Sequence, residues 1–196
     1  MPKLGMEAPR RAALVDATIA EIGARGSLDV TVGSIARRAG MSSALAHHYF
    51  GSKDRILAAA LRHLLRELDA AHARERAEAH TPRARLSAVI RACFAPEGFR
   101  RDAVAAWLAF YVSAQEGGEA RRLLRVYRGR LRSNLLAALR PLTDRPEDLA
   151  ETAAALIDGH YIREALRDGP ADGARLAARV EQALDTLLTT RPEIPR

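Results

Sequence analysis

The chain has 196 residues, of which 48% are hydrophobic and 28% charged, and its formal net charge is +7. This length suffices for one good core, or for a small module and a larger one. Its one cysteine, Cys93, excludes a disulfide framework and a thiolate metal cluster. No run resembles a signal peptide and no apolar stretch approaches the about 18 residues of a membrane span. We therefore expect a soluble cytoplasmic protein that does not contact a membrane.

The composition favours an all-α fold and permits binding to a polyanion. Much of the apolar fraction is alanine, and residues that favour strands are few. Residues 1–55 carry eight Lys/Arg against five Asp/Glu, so the positive excess is spread along the chain. The charge therefore does not locate a binding surface.

Hydrophobic spacing and capping residues predict about nine helices, with no strand and no internal repeat. A short arm over residues 1–9 precedes a first helix over 10–25. The later predicted helices cover 31–39, 43–50, 52–79, 81–94, 99–115, 119–139, 146–168 and 172–190, followed by a frayed tail. The segment 99–115 is the most apolar and is expected to be buried on most sides. Val126 is expected on the inner face of the next helix.

The stretch 30–53, VTVGSIARRAGMSSALAHHYFGSK, is typical of two short helices around a tight turn. Thr31 can cap the first helix with its hydroxyl, and Gly40 allows the positive φ of a sharp exit. Ser42 or Ser43 can cap the second helix. The predicted inward residues of the second helix are Ala46, Tyr49 and Phe50, and the outward ones are Ser43, Ala44, His47 and His48.

An outward polar face beside a glycine turn favours a helix-turn-helix DNA reader, with an ordinary helical hairpin as the alternative. We predict a three-helix DNA-binding domain over 1–55, with its motif at about 31–50. A long helix joins it to a helical ligand-binding and dimerisation domain over 56–196. Thr31 and Lys53 are expected to hold phosphates. The predicted DNA-binding residues are Thr31, Ser42, Ser43, Ala44, Leu45, His47, His48, Tyr49 and Lys53.

Aromatic residues are few, and three of them share one helix face. Trp107, Phe110 and Tyr111 are spaced i, i+3 and i+4, and Tyr127 and Tyr161 lie on later helices. Aromatic faces bind a quaternary ammonium well because the ring quadrupole attracts the cation. Packing in an ordinary core is the simpler interpretation. The candidate ligand residues are Trp107, Phe110, Tyr111, Tyr127, Asp158 and Tyr161, with Asp158 as a possible counter-charge.

No catalytic or metal-binding pattern emerges from the sequence. There is no glycine-rich phosphate loop and no HExxH spacing, and adjacent His47 and His48 face different directions. We expect neither an enzyme nor a cofactor, although a helical adaptor or enzyme stays as a remote alternative.

The last two helices each carry an apolar stripe, and one short recognition helix needs a partner to read two half-sites. We therefore expect a homodimer through the last two helices.

The helix-turn-helix stretch, above all Ala36, Gly40, Tyr49, Phe50 and Lys53, resembles the TetR family of repressors. Within that family the chain is similar to the choline-responsive repressors of glycine betaine synthesis. The segments that carry this similarity are MPKLGM, IARRAGMS, HYF, AWLAFY and ALIDGHYIREAL.

The resemblance implies a repressor that binds double-stranded operator DNA and responds to choline or a related quaternary amine as inducer. It departs from many relatives at Ala44, Leu45 and His47, where glycine, threonine and tyrosine are common, which leaves the operator sequence open. Tyr161 stands where a relative can carry tryptophan, and His160 where a large apolar residue is common. A TetR-type repressor of another regulon, such as drug efflux with a lipophilic inducer, is the alternative.

Overall fold

The computed structural model describes residues 6–190. Over this range the chain forms nine α-helices, one short 3-10 helix and no strand, which confirms the all-α prediction. The helices are α1 (Glu7–Arg25), α2 (Val32–Arg38), α3 (Ser43–Phe50), α4 (Lys53–Ala77), α5 (Pro82–Cys93), α6 (Arg101–Glu116), α7 (Gly118–Leu139), α8 (Pro146–Ala165) and α9 (Gly173–Thr189). The 3-10 helix, Pro96–Phe99, lies between α5 and α6.

Side-chain caps fix several of the helix starts. Thr31, Ser42, Thr81 and Asp172 precede α2, α3, α5 and α9, and each accepts a hydrogen bond from the backbone N–H three residues later. Ser52 does the same before α4, at 3.3 Å from the backbone N of Arg55. The sequence signals for these starts are therefore also their physical causes.

Two of the predicted boundaries need correction. The first helix begins at Glu7, so part of the predicted arm is helical, while residues 1–5 and the tail 191–196 lie outside the described residues. α8 ends at Ala165, three residues before the predicted end at 168. The chain turns early because the backbone N–H of Asp172 donates to the Glu164 carboxylate at 3.2 Å.

Two apolar residues expected inside are exposed. Val112 in α6 is 65% exposed and Val126 in α7 is 43% exposed. Phe110, only two residues before Val112, is 2% exposed. Because residues two apart on a helix point to nearly opposite sides, α6 has one buried face and one exposed face.

The chain divides into two compact units, each considered by itself. One contains the chain up to Arg66 together with Arg100–Arg125, and the other contains Glu67–Phe99 and the chain from Val126 onward. This division follows packing, since α6 packs against α1. It differs from the predicted functional boundary between residues 55 and 56, which remains a prediction.

In the first unit, α1 packs against α2, α3 and α6. Glu21 of α1 is only 7% exposed and accepts hydrogen bonds from Arg38 at 2.7 Å and Arg25 at 3.1 Å. The hydrogen bond from Arg38, at the end of α2, holds the pKa of Glu21 below its ordinary value. A partly buried ion pair thus ties the end of α2 to the C-terminal part of α1.

The second unit has a core built from α5, α7, α8 and α9. Its largest fully buried side chains include Leu86, Leu135, Ile157 and Leu184, one from each helix. Glu164 at the end of α8 is 7% exposed, and its carboxylate accepts from Arg167 and Arg175. These hydrogen bonds lower the pKa of Glu164 and fasten the end of α8 to the start of α9.

Candidate DNA-binding surface

Local hydrogen bonds determine the turn between α2 and α3. Thr31 and Ser34 form a reciprocal capping box, with the Thr31 hydroxyl 3.0 Å from the Ser34 backbone N and the Ser34 hydroxyl 3.2 Å from the Thr31 backbone N. Gly40 has φ of 66°, as the sequence predicted, and the next backbone N–H, of Met41, donates to the Ala36 carbonyl at 2.8 Å. Ser42, and not Ser43, caps α3.

The exposed face of α3 matches the prediction. Ser43, Ala44, His47 and His48 are exposed, and Leu45 is half-buried. On the opposite side, the predicted inward residues Ala46 and Phe50 are buried and Tyr49 is half-buried. The helix therefore presents small and polar groups where a major groove would lie. That the four outward residues contact DNA remains a prediction.

Tyr49 is anchored to α1 and is only partly free to face DNA. Its hydroxyl accepts a hydrogen bond from Arg10 at 3.4 Å, and the Arg11 guanidinium lies 5.7 Å from its ring centroid. The same guanidinium lies 5.3 Å from the Phe50 ring. Sequence reasoning missed this support because α1 is about forty residues away in the chain. The signal that could have indicated it is a pair of adjacent arginines in α1 and a pair of adjacent aromatic residues in α3.

Gly33 is a second residue that sequence reasoning missed. A Cβ at this position would lie 3.3 Å from the Ser43 hydroxyl oxygen, so the starts of α2 and α3 approach each other closely. The glycine lets the two helices cross at this distance. It thereby sets where the exposed face of α3 begins.

The two predicted phosphate ligands have different environments. Thr31 is exposed, and its hydroxyl already accepts the cap hydrogen bond of α2. The Lys53 amine lies 4.0 Å from the carboxylate of Asp29, whose side chain is 98% exposed. Such an exposed pair contributes little, so the Lys53 amine can exchange that carboxylate for a phosphate.

An arginine-lined groove lies beside α3 on the same unit. Arg55, Arg62 and Arg66 of α4 share one helix face and line an open cavity of about 530 Å³ together with Arg11, Tyr49, Phe50 and Ala59. Arg62 pairs with Glu119, and Arg11 pairs with Glu7 at 2.9 Å. The groove adds positive charge next to the recognition helix, which favours a polyanion. In the sequence this groove is indicated by the i, i+7, i+11 spacing of its three α4 arginines.

Three of the predicted ligand residues lie in the first unit. Trp107 is 8% exposed and Phe110 is 2% exposed, while Tyr111 is half-buried. The Trp107 and Tyr111 ring centroids are 6.0 Å apart with a 31° angle between the ring planes. The structure thus brings these two rings together on α6. Their role in binding a cation remains a prediction.

The other three predicted ligand residues lie in the second unit. The Tyr161 hydroxyl donates to the Gly98 carbonyl at 2.7 Å, and its ring lies 5.1 Å from that of Phe99. Tyr127 is half-buried against the core of this unit. Burial raises the pKa of the half-buried Asp158, and the nearby Arg128 charge opposes that increase. Sequence reasoning did not anticipate the contact of Tyr161 with the 3-10 helix.

Neither a metal cluster nor a membrane span is present in the described part of the chain. No three His, Cys, Asp or Glu side chains lie close enough together to hold a metal ion. No helix over the same residues is both long and apolar enough to cross a membrane.

A capped two-helix motif with an exposed second helix, packed on α1, is typical of the helix-turn-helix class of transcriptional regulators. The family description "Bacterial regulatory proteins, tetR family" matches residues 14–60. The description "BetI-type transcriptional repressor, C-terminal" matches residues 82–189. The chain belongs to the TetR family of transcriptional regulators, with a C-terminal domain of the BetI type.

Full-length relatives agree with this assignment. The chain is 50% identical to the HTH-type transcriptional regulator BetI of Brucella melitensis, over 98% of each chain. It is 52% identical to the regulator of the same name from Agrobacterium fabrum, over 98% of this chain and 95% of the relative. The chain is therefore a DNA-binding transcriptional regulator that is similar to BetI along nearly its whole length.

Solved structures share the fold. A transcriptional regulator from Pseudomonas aeruginosa PAO1 has a TM-score of 0.76 at 27% identity, covering 92% of this chain and 91% of its own. A regulator from Saccharomonospora viridis, solved in complex with choline, has a TM-score of 0.75 at 25% identity, covering 91% and 96%. Regulators of the TetR family bind operator DNA and function as dimers, and both properties extend to this chain as a member.

Proposed function

We propose that this chain is a repressor of genes that convert choline to glycine betaine, and that choline or a related quaternary amine releases it from its operator. The observation that carries the proposal is the identity of 50% with BetI across 98% of the chain. The choline complex of the Saccharomonospora viridis regulator supports the ligand class. In this proposal the chain acts as a binding protein without catalysis or cofactor, in the cytoplasm where its operator lies.

The DNA-binding residues in this proposal are the exposed face of α3, with Thr31 and Lys53 on flanking phosphates. Phosphate contacts supply much of the affinity of such a protein and make it depend on salt. Base contacts from α3 then select the operator. His47 and Leu45 are the residues of α3 where its own operator preference is expected to arise.

Effector binding changes DNA affinity if it favours one arrangement of the dimer over another. Only Gly51 and Ser52 separate the end of α3 from the start of α4, so a displacement of α4 moves the recognition helix with it. If choline binds the displaced arrangement better, the two recognition helices no longer match the half-site spacing. A coupling of about 1–3 kcal/mol corresponds to an affinity change of roughly 5- to 150-fold.

We place the dimer interface on α8 and α9. Ile162 is 38% exposed and Leu166, just beyond the end of α8, is 71% exposed. Ala155 and Gly159 lie on the same side of α8 and are also exposed. A stripe of exposed apolar and small residues along α8 is suited to packing against a second helix.

The operator test uses the full-length protein and DNA from upstream of its own gene. We expect fluorescence anisotropy to show tight binding without effector and a roughly 5- to 150-fold weaker affinity with saturating choline. A bulky lipophilic cation serves as the comparison ligand. Release by the lipophilic cation and not by choline would contradict the choline proposal and support the efflux alternative.

The aromatic pair on α6 gives a prediction for the ligand site. Tyr111→Ala removes one ring of the Trp107–Tyr111 pair, and we expect calorimetry to show choline binding about 2- to 30-fold weaker, because a cation–π contact contributes about 0.5–2 kcal/mol. Val112→Ala is the matched control, since Val112 is the adjacent residue on α6 and is 65% exposed. Equal choline affinities of the two variants would exclude this pair from the site.

A further inference from the structure

A ridge of four exposed residues runs along α8 at every fourth position. The α8 ridge consists of Glu151, Ala155, Gly159 and Arg163, and all four residues are exposed. Its charge pattern is antisymmetric about its centre, with a carboxylate at one end, a guanidinium at the other and two small residues between. Such a pattern is complementary to a second copy of itself in the antiparallel direction.

The charges at the two ends of the ridge have no ionic partner among the described residues of the chain. Over residues 6–190, no ion pair is formed by Glu151 or Arg163, whereas the neighbouring Arg167 and Arg175 both pair with the buried Glu164. The charge of Arg167 is thus neutralised within the protomer, whereas the charge of Arg163 is not. The helix dipole accounts for acidic residues in the first turn, but Glu151 lies beyond that turn.

The surface next to the basic end of the ridge can receive an acidic side chain. Ala155, Gly159 and Arg163 line an open cleft of about 990 Å³ between α8 and α9, and Arg179 of α9 lines it too. Like Arg163, Arg179 forms no ion pair within the described residues. This cleft therefore presents two uncompensated guanidinium groups beside a strip of small residues.

The spacing of the ridge allows two copies to meet. A twofold axis midway between Ala155 and Gly159 brings Glu151 opposite Arg163 of the partner subunit, and the same contact forms again by symmetry. Each charged residue lies about 9 Å along the helix from that axis. Helices that cross at roughly 20–50° with axes about 8 Å apart leave a gap that an arginine and a glutamate side chain together can span. Ala155 and Gly159 permit this short axial distance, and a Cβ at Gly159 would meet no atom of its own chain within 4 Å.

We propose that the α8 ridge selects a second copy of this chain as partner, through two symmetric ion pairs between Glu151 of one protomer and Arg163 of the other. The inference rests on the dimer interface proposed above and specifies its register. The ion pairs make the antiparallel alignment centred between Ala155 and Gly159 the favourable one. They also disfavour pairing with a related helical regulator that lacks this charge order.

Charge reversal tests the register in the full-length protein. In Glu151→Arg both contacts bring two cations together, and in Arg163→Glu both bring two carboxylates together. We expect each variant alone to dimerise about 30-fold more weakly than the parent in sedimentation velocity, because every substitution acts twice in a symmetric dimer. An equimolar mixture of the two variants restores complementarity at both contacts. We therefore expect native mass spectrometry to show the heterodimer as the main species.

Matched controls carry the same charge changes on other helices. Glu75→Arg on α4 and Arg132→Glu on α7 alter exposed residues that form no ion pair among the described residues. We expect both to dimerise like the parent. If these controls weaken dimerisation as much as the ridge variants do, the effect comes from net charge and the proposal is overturned.

The remaining outcomes separate the ridge from the interface on which it rests. Failure of the mixture to form heterodimers overturns the Glu151–Arg163 register, as does a parent-like dissociation constant for either single variant. Leu166→Glu, on the same side of the chain, tests the α8–α9 interface independently of the ridge. If Leu166→Glu dissociates the dimer while Glu151→Arg does not, the α8–α9 interface stands and only the ridge is wrong. If neither variant has an effect, the proposed interface is wrong as well.

Discussion

The double substitution His47→Ala/Lys53→Ala will weaken operator binding by about 100-fold or more. A dimer loses four side chains from its proposed DNA-facing surface, and each lost phosphate or base contact typically costs about 0.5–1 kcal/mol or more. The loss of Lys53 will also flatten the salt dependence, because each phosphate contact contributes about 0.9 to the slope of log affinity against log salt. Anisotropy titrations at several salt concentrations measure both effects.

The effect on DNA can be separated from an effect on folding. His47 is exposed and its ring nitrogen makes one long contact, 3.4 Å, with the Gly51 carbonyl. Within residues 6–190 the Lys53 amine makes only the exposed 4.0 Å pair with Asp29, so both truncations are expected to leave the thermal midpoint unchanged. Arg76→Ala/His80→Ala, which removes an exposed cation and an exposed histidine elsewhere, is the matched control. Operator affinity equal to the parent's in the His47/Lys53 variant would remove these residues from the DNA surface.

The parts of the fold that were predictable from sequence are those with local causes. A capping hydroxyl, a left-handed glycine or an apolar repeat acts within four residues, so Thr31, Gly40 and Ser42 could be interpreted directly. The exposed face of α3 followed from helical periodicity alone. Where such signals flank the helix-turn-helix, the predicted helices 31–39 and 43–50 agree with α2 and α3 to within one residue.

Errors occurred where distant residues decide the outcome. The exposure of Val126 and Val112 depends on which helices pack against α6 and α7, and periodicity does not contain that information. The early end of α8 depends on Glu164, whose carboxylate binds Arg175 eleven residues later. In each case the deciding contact lies outside the helix concerned, where its own periodicity gives no information.

The same distinction between local and distant contacts applies to the candidate sites. The DNA-binding surface is one contiguous motif, so its outward residues could be identified from spacing. Its supports, Arg10 and Arg11, come from α1 and were missed. The ligand candidates are spread over three helices, and the sequence groups only those that share a helix, three on α6 and two on α8. Aromatic rings are able to bind a cation but also pack in ordinary cores, so the proposal of choline depends on relatives and not on these rings.

Gly173→Ala will lower the stability of the folded chain by about 2–4 kcal/mol, the upper part of the range for added methyl groups in packed interiors. A Cβ at Gly173 would lie 2.1 Å from the backbone oxygen of Phe94 and 3.2 Å from its carbonyl carbon. Backbone atoms cannot rotate away as a side chain can, so the start of α9 must move from the end of α5. Arg83 and Arg91 of α5 oppose that movement because they pair with Asp185 and Glu181 of α9 at 2.7 and 3.1 Å.

Thermal unfolding at a fixed protein concentration measures this loss, since a dimer's midpoint depends on concentration. For a chain of this size we expect the midpoint of Gly173→Ala to fall by roughly 4–16 °C. Gly129→Ala is the control: Gly129 is an exposed residue within α7, where a Cβ would meet no atom within 4 Å. There the methyl group is expected to stabilise by about 0.5–1 kcal/mol through helix propensity. A Gly173→Ala midpoint at or above the parent's would show that α5 and α9 are not held in contact at Phe94.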